Sequence, residues 1–443
     1  MDVDVLVVGA GPAGLTAAAE LRRRGVRRVL VADREAAPGG IPRHSWHTGY
    51  GLRDLHRVLS GPAYARALAD AATRSGAELR TGCTVTEVSV GGETLSAVLT
   101  SAAGIEEVRP SSVLLATGCR ERPRSARLVP GDRPPGVLTT GELQQRVYLD
   151  GERLAGRALV VGAEHVSFSA AVTLAHAGAK VVALVTEHER QQSYAAFRLG
   201  AALRWGVPVW TSTAVTRVVG AGGKLAGVEL ADEAGGQART VACDWLVFTG
   251  DWIPDHVLAR SSGLAIDAGT RGPAIDTGMA TSAPGVFAAG NLVHAAETAD
   301  VAALSGRHAA RQIHSFLAGR ARLTSPRIAV VAEPPLRWIS PNAVAAGGGR
   351  PPLGRFTLRA ADFRRPGRLE ARQDGRLLAR SRPLRLIPGR PVYLRASWLG
   401  KLDPGGGPVR VGVENAGLHV NELGGRPAPA LPNYKLGFFL RMH

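Results

Sequence analysis

Cysteine is scarce. Cys83, Cys119 and Cys243 are the whole set, and they stand far apart. An odd, dispersed set builds no disulfide framework and predicts a reduced, cytoplasmic setting. Three thiols cannot supply the four cysteine ligands of an iron–sulfur cluster from within one chain. No C-x-x-C pair occurs, which excludes a dithiol redox relay. Lysine is nearly absent: Lys180, Lys224, Lys401 and Lys435 leave the positive charge to arginine. No compact basic run is interleaved with aromatics, so nucleic-acid binding is not expected. No apolar run approaches the ~20 residues of a membrane helix, and Asp2 and Asp4 interrupt the apolar amino terminus. The expectation is a soluble, unexported protein with no membrane contact. H-E-x-x-H, clustered His/Cys and a nucleophile elbow are also missing, so no metal site or hydrolase chemistry is predicted.

What is present supports a large core. Apolar residues make up 45% of the chain and charged residues 21%. At about 150 residues per domain, the 443 residues suggest three domains. The formal charge of +17 suits acidic substrates or an acidic partner; the alternative is an arginine-rich solvated surface.

The amino terminus reads as strand, glycine turn, helix, strand, acid. An apolar run from Asp4 ends in Gly9, Gly11 and Gly14, and a helix follows to Arg24. Gly9 permits the tight turn, Gly11 lets backbone approach a pyrophosphate, and Gly14 lets helix and strand pack closely. The helix amino terminus, opening at Pro12 and Ala13, offers unpaired N–H groups to phosphate. Asp33 lies 19 residues after Gly14, at the end of the next strand, where a carboxylate accepts ribose hydroxyls.

The pattern returns about 150 residues later, from Ala158 through Gly162 to Ser167, with a helix to Ala177 and a strand Lys180–Val185. Two Rossmann-like units follow from that repeat. In the second copy Glu164 replaces the second glycine and Ser167 the third. A carboxylate at Glu164 crowds and repels a pyrophosphate, so NAD(P) binding is expected to be weak or absent. The alternative is a shifted loop that still admits the nucleotide.

Two further strands end in Thr-Gly, at Thr117-Gly118 and Thr249-Gly250. The run Thr281–Asn291 reads as turn, buried strand, then Gly290-Asn291. A helix rich in small residues is predicted over about Thr298–Phe316. Together, and in this order, these motifs resemble the two-dinucleotide-binding flavoproteins of the pyridine nucleotide–disulfide oxidoreductase-like superfamily over about residues 1–320. The resemblance implies FAD in the first domain, with contacts from Gly9, Gly11, Pro12, Ala13, Gly14, Asp33, Arg34, Gly40, Arg43, Val85, Ala116, Thr117, Gly118, Gly290, Asn291 and Thr298. Asn291, near the ribityl chain, stands where aspartate is usual. The helix starting near Thr298 would aim its positive end at the flavin. The runs Gly39–His44, Gly61–Arg66, Ala116–Pro123, Leu128–Arg133 and Gly162–Ser167 look closer still to the FAD-bearing α-type subunits of opine oxidases, hydrogen cyanide synthases and dye-linked amino-acid dehydrogenases. That implies a small-molecule substrate such as an amino acid or opine, and partners in the form of a second flavoprotein and an iron–sulfur protein. The cysteine-rich tail of some members is missing here.

The fold class expected is therefore α/β. A discontinuous FAD-binding domain is placed at 1–145 and 245–322. A degenerate second Rossmann-like domain is placed at 146–244, inserted into the first. A small antiparallel β domain, with arginines along one face, is placed at 325–443. Asp374-Gly375 marks a hairpin there. For chemistry, His44 in the loop Ile41–Tyr50 is a candidate to contact flavin or take a substrate proton, and Arg43 to hold a phosphate or carboxylate. Packing around the cofactor is the alternative for both. Glu297 is a second acid/base candidate; helix capping is its alternative. The expected function is that of an FAD-dependent oxidoreductase, one component of a hetero-oligomer, oxidising an amine, amino acid or opine and passing electrons to a partner. The rivals are an electron-transfer or assembly component, and a stand-alone NAD(P)H-dependent flavin oxidoreductase.

Overall fold

A computed structural model describes residues 1–91, 94–194, 206–232, 238–320, 326–345 and 349–415. The apolar amino-terminal run forms the strand Asp2–Val8, parallel to Val29–Ala32 on one side and to Gly104–Leu115 on the other. Glu78–Arg80 and Val286–Ala288 add further parallel strands, and Ser96–Ser101 with Cys83–Ser89 completes a seven-stranded sheet as an antiparallel ribbon. Unbroken Val/Leu runs suit strands covered on both faces. Val5, Leu6 and Val7 are fully buried, and each such side chain contributes about 1.5–3 kcal/mol.

Six helices are named here: α1 (Pro12–Arg23), α2 (Gly61–Arg74), α3 (Thr140–Tyr148), α4 (His165–Ala177), α5 (Val257–Ser261) and α6 (Ala299–Leu317). α1 and α6 pack against each other at backbone distance. A Cβ at Gly306 of α6 would overlap the carbonyl oxygen of Ala13 in α1. Small residues in α6 thus draw the carboxyl-terminal limb of the domain onto the first glycine turn.

The second sheet is parallel, in the order Val137–Thr139, Trp245–Phe248, Arg157–Val161, Lys180–Val185, Val209–Trp210. The expected span 146–244 is therefore too short at both ends. Val137–Thr139 and Trp245–Phe248 hydrogen-bond into the second sheet: Trp245–Phe248 runs alongside the repeated strand Arg157–Val161, and Val137–Thr139 pairs with Trp245–Phe248. An antiparallel pair, Cys119–Glu121 with Trp252–Pro254, carries the two chain crossings between the domains.

The carboxyl-terminal region forms two β-sheets around Phe356, Leu358, Leu369 and Trp398. Asp374 and Gly375 both have positive φ, as a tight hairpin requires, and join Arg364–Gln373 to Arg376–Arg380. One pair departs from the antiparallel expectation: Arg327–Ala332 runs parallel to Val409–Asn415. The basic face is partly neutralised, since Glu370 pairs with Arg372 at 2.9 Å and Arg380 at 2.5 Å. Residues 416–443 of the expected domain lie outside the described residues. This domain touches both others. Arg390 donates to the carbonyls of Gln192 (2.6 Å) and Ser193 and lies over the Tyr194 ring, while Arg359 donates to the carbonyl of Ala296.

Candidate active site

The first glycine turn is built around empty space at one position only. A Cβ on Gly9 would come within 2.5 Å of the Ala116 oxygen, and one on Gly14 would overlap the oxygen of Gly9. These two glycines are required by the protein's own packing. Gly11 differs: a Cβ there meets nothing within 4 Å, and its φ of −80° is open to any residue. Its freedom from a side chain serves something outside the chain. α1 opens beside it with Pro12 and no side-chain cap, so its amino-terminal N–H groups remain for an anion. Gly39 donates to the Ala10 oxygen at 2.8 Å, and Gly40 packs against Gly11, which brings the expected second loop to the cradle.

Asp33 is fixed beside the turn. Its Oδ2 accepts from the Ala10 N–H at 2.5 Å and its Oδ1 from the Glu35 N–H at 2.8 Å. Each oxygen retains a second lone pair for a hydroxyl donor. Open room at Gly11, free helix N–H groups and an anchored carboxylate together fit the pyrophosphate and ribose of a dinucleotide.

Several other expected contacts are committed within the protein. Thr117 Oγ1 donates to the Asp255 carbonyl (2.8 Å), and Arg34 lies 3.4 Å from the Asp255 carboxylate. Arg43 folds back onto the Ala37 carbonyl at 2.5 Å. Val85 is buried in the sheet, Gly118 and Gly290 hold positive φ, and Gly290 abuts Ala13. Asn291 makes a two-point contact with the backbone of Glu297, donating to its carbonyl at 3.1 Å and accepting from its N–H at 2.9 Å. An aspartate lacks the donor for half of that pair. This gives the departure from the usual residue a structural role.

Of the two proton-transfer candidates, His44 is buried, and its Nδ1 has no hydrogen-bond partner among the described residues. Burial, with Arg43 adding, pushes it down to about 4. It is neutral at physiological pH. Glu297 is also buried, but it does not cap a helix. Thr298 occupies the cap position of α6, and its hydroxyl donates to Asp300. The Glu297 carboxylate instead lies 3.7 Å from Arg359 and accepts a hydrogen bond from Tyr393 at 3.4 Å, both from the carboxyl-terminal domain. Burial pushes Glu297 up from the ordinary carboxylate range, against the lowering effect of Arg359 and Arg355.

Three groups at this point carry no sequence signal. Arg53 binds the buried Asp300 at 2.9 Å in the first turn of α6, Tyr64 donates to the buried Asp54 at 2.6 Å, and Arg359 reaches in from another domain. They are juxtaposed by tertiary packing alone.

The second glycine turn is filled. Thr249 Oγ1 donates to Glu164 Oε1 at 2.6 Å and lies 2.7 Å from Ser167 Oγ. A Cβ at Gly162 would lie 2.7 Å from both Glu164 Oε2 and Ser167 Oγ, and one at Gly250 would lie 2.5 Å from Glu164 Oε1. The carboxylate therefore spans the space between the two glycines. Arg127 closes the outside, donating to the carbonyls of Thr249 and Gly250 at 2.8 and 2.9 Å. Nearby, Glu121 is buried and accepts from the Gly141 N–H at 2.8 Å.

Two Rossmann-type units, one inserted in the other and each opening on a glycine turn, define a two-dinucleotide-binding-domain flavoprotein oxidoreductase. The chain belongs to the pyridine nucleotide-disulphide oxidoreductase family, whose profile matches residues 3–306. It is 34% identical over 187 residues to a subunit of opine oxidase from Agrobacterium tumefaciens (strain Ach5), covering 40% of this chain and 35% of that protein. The chain thus spans about a third of that relative's length. It is 30% identical over 309 residues to ferredoxin–NADP reductase of Ignicoccus hospitalis, covering 68% of this chain and 94% of that one. Thioredoxin reductase of T. acidophilum shares the fold, with a TM-score of 0.61 at 22% identity over 71% of this chain and 98% of that chain. Among the described residues, no helix is long and apolar enough to cross a membrane, and no group of three or more His, Cys, Asp or Glu could hold a metal ion.

Proposed function

We propose that this chain is the FAD-bearing component of a dehydrogenase for an amine, amino acid or opine, passing electrons to a partner protein rather than to NAD(P) or a cysteine pair. The observation that carries the reading is the contrast between the open turn at Gly11 and the turn filled by Glu164. FAD, when bound, supplies the electron-accepting chemistry. The chain's own residues do the rest. The α1 N–H groups and Asp33 hold the phosphates and ribose. Glu297, raised by burial, is the better-placed proton acceptor: its Oε1 is buried 3.7 Å from Arg359 with no hydrogen-bond partner among the described residues, and a raised carboxylate is the stronger base. His44, buried and neutral, packs within the Ile41–Tyr50 loop.

The thiols offer no alternative relay. Burial pushes Cys243 up to about 11 and raises Cys83 and Cys119 as well, so none is a ready thiolate. The partner reading draws on the likeness to one component of opine oxidase, a second flavoprotein or an iron–sulfur protein being the natural acceptor.

The nicotinamide-dependent alternative draws on the likeness to ferredoxin–NADP reductase along most of that protein. Anaerobic mixing of purified holoprotein with NADH or NADPH separates the two. The proposal expects no rapid stoichiometric flavin bleaching with either nucleotide, and bleaching by an amino acid or opine alone or with the co-expressed neighbouring subunit. Fast bleaching by a nicotinamide nucleotide would overturn it.

A further inference from the structure

The carboxyl-terminal β domain is joined to its two neighbours in different ways. Onto the first domain it is laid by backbone. Asp276 and Ala343 form a parallel bridge, and the N–H groups of Asn342 and Ala343 both donate to the Ile275 carbonyl at 3.2 Å. The Asn342 side chain accepts from the Ile275 N–H at 2.8 Å, and Arg327 adds an ion pair with the buried Asp276 at 3.3 Å. A Cβ at Gly269 would lie 2.9 Å from the Trp338 Cβ, so little more than backbone separates the two domains there.

The second domain is held through side chains. Arg390 donates to the carbonyls of Gln192 at 2.6 Å and Ser193, and its guanidinium lies 4.3 Å from the centre of the Tyr194 ring. Phe363 meets the His188 ring edge to face at 5.9 Å and takes the Arg190 guanidinium over its own ring at 4.8 Å. All these partners belong to the loop that follows the strand Lys180–Val185. Strand pairing aims the grip. Pro391, next to Arg390, lies opposite Arg359, which donates to the Ala296 carbonyl of the first domain and to the Gly389 carbonyl. One ladder thus carries a contact to each neighbour, side by side.

The second domain has reason to need holding. Two chain crossings, Cys119–Glu121 and Trp252–Pro254, tie it to the first as a single antiparallel pair. Domains joined in this way turn about their crossings unless a large apolar interface prevents it. Trp46 of the first domain stacks on Tyr148 of the second at 5.3 Å, yet Trp46 stays 56% exposed.

We propose that the carboxyl-terminal β domain is a strap. Fixed to the first domain by backbone, it grips the His188–Tyr194 loop with Arg390 and Phe363 and holds the second domain at one angle to the first. The role stands whether or not the dehydrogenase reading holds, because the contacts join domain to domain and involve no cofactor. The space between the first two domains then keeps one width.

Pulsed electron–electron double resonance on the full chain measures the spread of that angle. Spin labels carried on p-acetylphenylalanine at the exposed positions Arg74, in the first domain, and Lys224, in the second, leave the native thiols untouched. The chain with Arg390 and Phe363 intact should give one narrow distance population. Arg390→Met with Phe363→Ala should add a second population of about 20% or more of the molecules. Arg390→Lys, which keeps a cation to lie over Tyr194, should add less than Arg390→Met. A second label pair, at Arg74 and the exposed Arg410 of the β domain, should stay narrow in every variant. An unchanged Arg74–Lys224 distribution in the double variant would overturn the proposal, as would a broad one with both grips intact. Broadening of the Arg74–Arg410 pair would overturn it too, because the β domain would then be loose as a whole and not a strap anchored at one end.

Discussion

Gly11 and Glu164 occupy equivalent places in two copies of one unit, one beside an open turn and the other filling its own. Around Gly9 and Gly14 the backbone is so close that no side chain fits, while beside Gly11 there is room that the protein itself does not use. At the second turn Gly162 is equally hemmed in, but by polar side chains: Thr249 bonds to both Glu164 and Ser167 beside it. The fold persists because strand, turn and helix need only Gly162. Ligand binding needs the neighbouring position empty as well. On the reading proposed above, one carboxylate fills the second turn without disturbing the sheet that carries it.

Transplanting the filler challenges that contrast most severely. Gly11→Glu should reduce FAD affinity by about 100-fold or more, near 3 kcal/mol. The apoprotein should fold as before, since the Gly11 φ suits any residue and its Cβ direction is open. Flavin retention after gel filtration, with circular dichroism, checks both halves.

The next effect is on pH. Burial, with the negative charge of Glu164 adding, pushes Glu121 up to about 7. An unfolded glutamate titrates near 4.3. The folded chain therefore holds a proton that the unfolded chain releases, and stability present below pH ~4.3 is lost as pH rises toward 7. The loss should be roughly 3–4 kcal/mol. Glu121→Gln should flatten that stretch of the profile, and Glu164→Gln should shrink it, as read by denaturant unfolding at each pH.

Emptying the second turn should have a smaller effect. Glu164→Gly with Ser167→Gly should strengthen NADH or NADPH binding about tenfold, or ~1.4 kcal/mol, measured by fluorescence titration. Smallest of all, Thr249→Val removes the hydroxyl that donates to Glu164. It should destabilise the protein by about 1 kcal/mol in chemical unfolding, with flavin content unchanged.

The parts legible in the sequence are those that act through local spacing. Gly9, Gly11, Gly14 and Asp33 lie within one strand–helix–strand unit, so their order fixes their meeting. The defect at Glu164 is legible for the same reason, as a charge inside a repeated turn. The domain limits are less so. Trp245–Phe248 resembles the end of an FAD-domain strand, and only sheet pairing with Arg157–Val161 assigns it to the second domain. His44 looks chemical beside Trp46 and His47, but its burial, a product of tertiary packing, depresses it. Arg355, Arg359 and Tyr393 are invisible in the sequence. They are ordinary strand residues more than 50 positions from Glu297, and docking of a whole domain brings them there. Asn291 reads as a ligand to the cofactor, and its hold on the Glu297 backbone is a second role that local spacing does not reveal.

The chemistry proposed for this protein requires the Gly9–Gly14 turn to hold FAD and the Gly162–Ser167 turn to hold no nucleotide. Releasing and quantifying the nucleotides from gently purified protein, before and after reconstitution with FAD and NADP⁺ together, tests both requirements at once. One FAD per chain and no retained nicotinamide nucleotide are expected. A colourless protein that cannot be reconstituted with FAD, or one that retains stoichiometric NADP⁺, would contradict this assignment.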